Sequence, residues 1–177
     1  MHNCLVGSEM CIRDSHLGTR VWKSDLTTPD PITLQKRLQE FVNLGADAFV
    51  IEASSHALKQ NRIHQSFDVC LFTNLSRDHL DYHKTMEDYI ESKALLFDEK
   101  MLKDSGDGFA IVNKDDSYSD NIIKKIEGRH LITFGQNSGV DFQFTLLSEN
   151  LTGCQFDLKG PRGQSWNVKT PLIGEHN

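Results

Sequence analysis

Paired cysteines, long apolar runs and an excess of positive charge are all missing from this sequence. The four cysteines, Cys4, Cys11, Cys70 and Cys154, form no C-x-x-C pair, which argues against a disulfide framework or a zinc site. Cys70 lies in an apolar run and reads as a small core hydrophobe. No stretch approaches the ~18 apolar residues that a membrane-spanning helix requires. The first residues lack the apolar segment and small-residue cleavage site of a secretory signal, so a cytoplasmic location is expected, with no membrane partner. Basic side chains number 19 against 25 acidic ones, a net charge of −6, and no basic stripe is visible. That balance argues against nucleic acid as a partner. It leaves phosphate ligands open, because a few placed cations or a metal can offset it locally. Internal repeats and low-complexity segments are absent too.

What is present is the composition of a globular chain. Hydrophobic residues make up 38% and charged ones 25% of 177 residues, enough for one domain with an apolar core. A monomer is expected. The opening MHNCLVGSEMCIRDS stands apart, with no amphipathic period and two cysteines among turn formers. Its VGSEMCIRD resembles a translated sequencing-adapter fragment, so residues 1–15 are expected to be a non-native segment and 16–177 the domain proper. The closing LIGEHN reads as the start of an element, and both ends are expected to be cut.

Asp30 can cap a helix whose first position is Pro31, with Leu34, Leu38, Phe41 and Val42 on one face and Gly45 as the stop. Ala48 to Ala53 is a short apolar run suited to a strand buried on both faces. The polar SSHALKQNR follows, then a second strand from Val69 to Thr73. Thr85 with Asp88 three residues on gives a capping signal for a helix reaching about Phe97. Phe109 to Val112 predicts a third strand, Ser117 to Glu127 a helix stopped by Gly128, and Leu131 to Phe134 a fourth strand. From Val140 the pattern changes to short alternating segments, FQFTLL, CQFDL and SWNVKT, with glycine turns between them. The expected fold is α/β: a mostly parallel sheet flanked by helices, carrying a C-terminal antiparallel β-meander.

In such sheets, ligands sit beyond the carboxyl ends of the strands. Two predicted strands end there in polar clusters. One supplies Glu52, Ser54, Ser55 and His56; the other supplies Thr73, Asn74, Ser76, Arg77, Asp78, His79, Asp81 and His83. A carboxylate and an imidazole delivered to one rim can hold a divalent metal. Each residue also has a plainer use, as a strand-end ion pair, a helix cap or a solvated turn. Taken together, the two clusters favour a site. Asp78, His79, Asp81 and His83 also resemble the metal cluster of a metallohydrolase, in which the metal activates water.

Longer motifs carry a stronger resemblance. TTPD at Thr27–Asp30, EASSHALKQNR from Glu52, FTNLSRDHLDYH from Phe72 and ESKALLF from Glu91 occur in order and at a spacing similar to that of the Mur ligases of the third addition step. NKDD from Asn113, TFG from Thr133 and LIGEHN from Leu172 extend the resemblance over Gly18 to Asn177. SRDHLDYH is highly specific, SSHAL nearly so. Their combination argues against a neighbouring Mur step or a folylpolyglutamate-type ligase.

The resemblance implies a P-loop NTPase-like central domain. It also implies an ATP-dependent ligase that adds a diamino acid, meso-diaminopimelate or L-lysine, to UDP-N-acetylmuramoyl-L-alanyl-D-glutamate in peptidoglycan precursor synthesis. In this family ATP phosphorylates the D-glutamyl carboxylate and an amine attacks the acyl phosphate. A free carboxylate has only oxide to expel, whereas phosphate leaves readily. Charge builds on phosphoryl oxygens, so Mg2+ and cations supply much of the stabilisation. Glu52 and His79 match the family's magnesium ligands. Thr27, Thr28, Ser54, Gln60 and Arg62 match its contacts to the UDP-muramoyl peptide. Lys93 matches a lysine that the family carries carbamylated, an anionic oxygen ligand where an ammonium could not serve. Asn113, Asp115 and Asp116, with Asn74, match positions on the nucleotide side.

One departure stands out. The family's phosphate-binding loop carries a Gly-Lys pair upstream of TTPD, and no Gly-Lys pair occurs in this chain. Without that loop's amides and lysine, the chain alone is expected to be catalytically inactive.

Overall fold

The computed structural model describes residues 3–6, 13–77, 81–103, 108–126 and 130–172. The chain divides into two compact units, Met1–Ser66 with Arg77–Leu96, and Phe67–Ser76 with Phe97–Asn177.

The first unit is built on a four-stranded sheet of β1 (Asn3–Val6), β2 (Ser15–Leu17), β3 (Arg20–Trp22) and β4 (Ala48–Ile51), in the order β3-β2-β1-β4. β1 runs antiparallel to β2 and parallel to β4. Helix α1 (Pro31–Asn43) starts as predicted: the Asp30 carboxylate accepts from the amides of Ile32 and Thr33, both at 3.0 Å. It ends at Gly45, whose φ of +85° lets the amides of Gly45 and Ala46 turn back onto Val42 and Phe41. Its buried side packs Leu34 and Phe41, neither with any exposed surface, and Phe41 meets the Trp22 ring at 4.7 Å and Phe49 at 6.3 Å. Val42, expected on that face, is 53% exposed, while Arg37 is buried and donates to Ser15 Oγ at 2.8 Å. At about 3.6 residues per turn, Arg37 flanks Phe41 on the packed side and Val42 falls beyond its other edge.

β4 was expected to be buried on both faces. Instead Ala48 and Val50 are exposed and Phe49 and Ile51 half-buried. The strand lies at the sheet edge, and among the described residues only the face towards Phe41 is packed. The unit is completed by α2 (Ser55–Lys59) and α3 (Met86–Ala94). Thr85 caps α3, its hydroxyl accepting from the Asp88 amide, as its sequence predicts, and a short 3-10 turn carries the chain on to Phe97.

The second unit holds a six-stranded sheet: β5 (Val69–Phe72), β6 (Phe109–Asn113), β7 (His130–Gly135), β8 (Phe142–Asn150), β9 (Gly153–Lys159) and β10 (Ser165–Thr170). β5 to β8 pair in parallel and β8 to β10 antiparallel, the expected mixed sheet with its meander. Cys70, Phe72, Ala110 and Val112 form the buried side, with Ile122 of α4 (Ser119–Ile123). Val69, Leu71 and Phe109 face the other way and are exposed. Helix α4 is shorter than expected, because the Asp116 carboxylate accepts from the Tyr118 amide and holds residues 116–118 in a turn. Its predicted stop, Gly128, lies outside the described residues. Among the described residues no helix is long and apolar enough to cross a membrane.

Candidate functional site

The polar loop after β4 is where the first unit concentrates its chemistry. Thr28, with no exposed surface, bridges two segments: its hydroxyl donates to the Glu52 carbonyl at 2.7 Å and accepts from the Ser54 amide at 3.1 Å. Ser54 then caps α2, accepting from the Ala57 amide at 3.3 Å. This helix lies within SSHALKQNR, too short for a periodic signal. Its end is written in the sequence, however. Asn61 adopts the left-handed conformation (φ 52°), and the amides of Asn61 and Arg62 close back onto Leu58 and Ala57. That turn delivers Arg62, whose Nη1 donates to the Thr28 carbonyl at 2.6 Å while its Nε is buried without a hydrogen-bond partner. TTPD, the Glu52 loop and Arg62 are therefore one hydrogen-bonded assembly. Thr27 is half-buried beside it, and Gln60 is exposed, its Nε2 donating to Tyr82 Oη at 3.3 Å.

Glu52 and Lys93 come together although they sit on separate elements. Glu52 is exposed, yet the protein around its carboxyl desolvates it enough to raise its pKa, and the Lys93 charge opposes that rise. Lys93 is half-buried on the last turn of α3, its Nζ 5.2 Å from the centre of the Tyr89 ring. An ammonium in this place offers a cation no lone pair, whereas a carbamate on the same nitrogen would offer two oxygens. A partly desolvated carboxylate next to such a lysine fits a hard-cation site in its donor chemistry. The third predicted ligand, His79, and Asp78 with it, lie outside the described residues. Among the described residues no three His, Cys, Asp or Glu side chains stand close enough to hold a metal ion.

Of the metallohydrolase cluster, only His83 and Asp81 lie among the described residues. The His83 side chain has no exposed surface and its Nε2 lies 2.9 Å from Ser55 Oγ. Asp81 is exposed.

In the second unit, the residues expected on the nucleotide side are bound up in the scaffold. Asn113 Nδ2 donates to the Thr73 carbonyl at 2.8 Å and its Oδ1 accepts from the Asp115 amide at 3.0 Å. The Asp115 carboxylate accepts from Gln136 N at 2.6 Å, Asn137 N at 3.2 Å and Asn137 Nδ2 at 2.6 Å. Asp116 accepts from the amides of Leu75 at 2.7 Å and Tyr118 at 2.8 Å. These bonds join the loops after β5, β6 and β7. Asn74 is exposed in the loop after β5. The motif's spacing pointed to the right end of the strands but could not show that its carboxylates are engaged by backbone amides.

Known proteins were compared with the chain. A family model described as Mur ligase middle domain matches residues 6–177. The UDP-N-acetylmuramoyl-L-alanyl-D-glutamate--2,6-diaminopimelate ligase of Aquifex aeolicus (strain VF5) is 42% identical over 160 residues, covering 90% of this chain and 31% of that protein. The UDP-N-acetylmuramoyl-L-alanyl-D-glutamate--L-lysine ligase of Staphylococcus aureus (strain MW2) is 36% identical over 152 residues, 85% of this chain and 30% of that one. The chain thus spans about a third of the length of the curated relatives it matches. Among solved structures, a UDP-N-acetylmuramoyl-L-alanyl-D-glutamate--2,6-diaminopimelate ligase superposes with a TM-score of 0.80 at 29% identity, over 99% of this chain and 34% of that one. Short motifs alone do not produce agreement in sequence and fold along nearly the whole chain: it belongs to the Mur ligase family, as that family's middle domain.

Proposed function

We propose that this domain is the catalytic centre of an ATP-dependent ligase that joins a diamino acid to UDP-N-acetylmuramoyl-L-alanyl-D-glutamate. The observation that carries the reading is the nearness of Lys93 on α3 to Glu52 at the end of β4, where the Lys93 charge acts on the Glu52 carboxyl. In this reading Glu52, His79 and a carbamylated Lys93 hold Mg2+, which offsets charge on the phosphoryl oxygens as phosphate passes to the D-glutamyl carboxylate. Carbamylation joins CO2 to the neutral amine of Lys93, which is half-buried on the last turn of α3.

The TTPD–Glu52–Arg62 assembly receives the muramoyl peptide. Thr28 and Ser54 fix its loop, Thr27 and Gln60 line it, and the half-buried Arg62 guanidinium supplies a positive charge for an anionic group of the substrate. In the second unit, Asn74 and the loops braced by Asn113, Asp115 and Asp116 are assigned to the nucleotide. Relatives named for 2,6-diaminopimelate and relatives named for L-lysine both match this chain, at 42% and 36% identity.

Two measurements on the 177-residue chain test the reading. UDP-N-acetylmuramoyl-L-alanyl-D-glutamate is expected to raise the melting temperature, and Arg62→Ala to abolish the rise. With 13C-labelled bicarbonate, one carbamate carbon resonance is expected, absent from Lys93→Ala. A chain whose melting is unmoved by millimolar muramoyl dipeptide, and which shows no carbamate signal, would not be this ligase domain.

A further inference from the structure

Between α2 and α3 of the first unit lies a histidine that the proposed chemistry leaves unused. His83 has no exposed surface; its Nε2 is 2.9 Å from Ser55 Oγ and its Nδ1 is 3.5 Å from Asp88 Oδ2. The ring stacks on Tyr89 with centroids 4.9 Å apart and meets Tyr82 edge-on at 4.9 Å. Serine, histidine and aspartate in this order resemble a hydrolytic triad, but a nucleophile must reach a substrate. Ser55 is only 3% exposed, so the trio is closed to substrate.

What it can do is hold two helices at a fixed spacing. Sliding α2 along α3 would break the Nε2–Ser55 hydrogen bond and draw Nδ1 away from the Asp88 carboxylate, a cost for a buried imidazole. Both helices matter to the proposed site. α2 carries Ser54 at its start and Gln60 at its end, while α3 carries Lys93, which lies over the Tyr89 ring on which His83 stacks. The same segment fastens the far end of α2. Tyr82 Oη accepts from Gln60, and Asp88 takes an ion pair from Lys59 at 2.5 Å.

We propose that His83 is a positioning residue that locks α2 to α3 through Ser55 and Asp88, and so sets the muramoyl-peptide contacts on one helix at a fixed distance from Lys93 on the other. The lock stands on geometry alone; only the purpose of that spacing rests on the ligase reading.

The test is amide hydrogen exchange on the 177-residue chain, wild type against Ser55→Ala, His83→Ala and His83→Gln. Calorimetric titration of UDP-N-acetylmuramoyl-L-alanyl-D-glutamate into each runs in parallel. Ser55→Ala and His83→Ala are expected to speed exchange about tenfold at the Leu58 and Gln60 amides and leave α1 at wild-type rates. His83→Gln, whose amide can still reach Ser55, should restore most of the protection. The double variant should exchange no faster than His83→Ala, because both remove one interaction. Both alanine variants should also weaken dipeptide binding about tenfold. Unchanged α2 exchange in Ser55→Ala, or equal loosening of α2 and α1, overturns the proposal. If His83→Ala does not fold, Ser55→Ala, which deletes one hydroxyl, decides. Absence of dipeptide binding by the wild-type chain would sink the ligase reading instead, and the exchange rates would still decide the lock.

Discussion

Polar residues gather beyond the carboxyl ends of strands in both units, but they are used differently. In the second unit the carboxylates of Asp115 and Asp116 are occupied by backbone amides and bind loop to loop. In the first unit the holding is done by Thr28, Ser54 and His83, while the Glu52 carboxyl is partly desolvated beside Lys93 and Arg62 Nε is buried without a hydrogen-bond partner. Similar residue types at similar places thus divide into those that bind loop to loop and those, Glu52 and Lys93, that the proposed function assigns to the chemistry. The division follows from which backbone amides are left over. Loops after parallel strands expose amides that a carboxylate can collect, and a carboxylate without such amides stays reactive.

The sharpest way to break this contrast is through Asp115. A β-carbon on Gly135 would stand 2.7 Å from Asp115 Oδ1 and 2.9 Å from its Cγ, and that carboxylate cannot swing aside without releasing its amide partners. Gly135→Ala should therefore destabilise the second unit by about 2 kcal/mol, and Asp115→Ala by about 1–2 kcal/mol. Together they should cost clearly less than the sum, since the collision partner is gone. Trp166 reports on the second unit and Trp22 on the first, so urea unfolding followed in Trp22→Phe and Trp166→Phe backgrounds separates the two. Full additivity would show that Asp115 does not hold the Gly135 loop.

Thr28→Val is the counterpart in the first unit. It keeps the shape of a buried side chain but removes a hydroxyl that donates to the Glu52 carbonyl and accepts from the Ser54 amide. A loss of about 1–2 kcal/mol is expected, seen by Trp22 and not by Trp166. A neutral substitution would mean that the rim of the first unit is held elsewhere.

How much of this was legible in the sequence divides along the same line. The helix signals were local and therefore readable: Asp30 and Thr85 cap helices through their own neighbours, and Gly45 ends one by its φ. The meander was readable because its strands pair with adjacent segments. Helix α2 escaped, five residues being too few to show a period, although Asn61 marked its end. Val50 misled for another reason: an apolar strand looks the same whether one face is covered or two, and only the packing decides. At the site, motif order pointed to Glu52 and Lys93. Nothing in a linear string distinguishes Asp115, spent on Asn137, from a carboxylate free to meet a ligand. His83 read as a member of the strand-end polar cluster, because its partners Ser55 and Asp88 are set by tertiary structure.

The smallest expected effect tests the contrast most directly, since it has the opposite sign. Desolvation raises the Glu52 pKa despite Lys93, so the folded chain holds that proton more tightly than the unfolded chain does. Ionised Glu52 therefore costs stability. The cost is absent below the unfolded value of about 4.3, grows as pH rises through the folded pKa, and is constant above it. Glu52→Gln removes the charge at nearly constant shape. After discounting for solvent screening at an exposed carboxyl, it should stabilise the first unit by about 0.5 kcal/mol at neutral pH, a gain that vanishes in acid. Residues that build a rim lose stability when neutralised; a residue kept for chemistry, the role proposed for Glu52, gains it. Thermal unfolding of Glu52→Gln at neutral and acidic pH, followed through Trp22, reads the difference. A variant less stable than wild type at neutral pH would show that the Lys93 attraction outweighs desolvation, placing Glu52 with the builders.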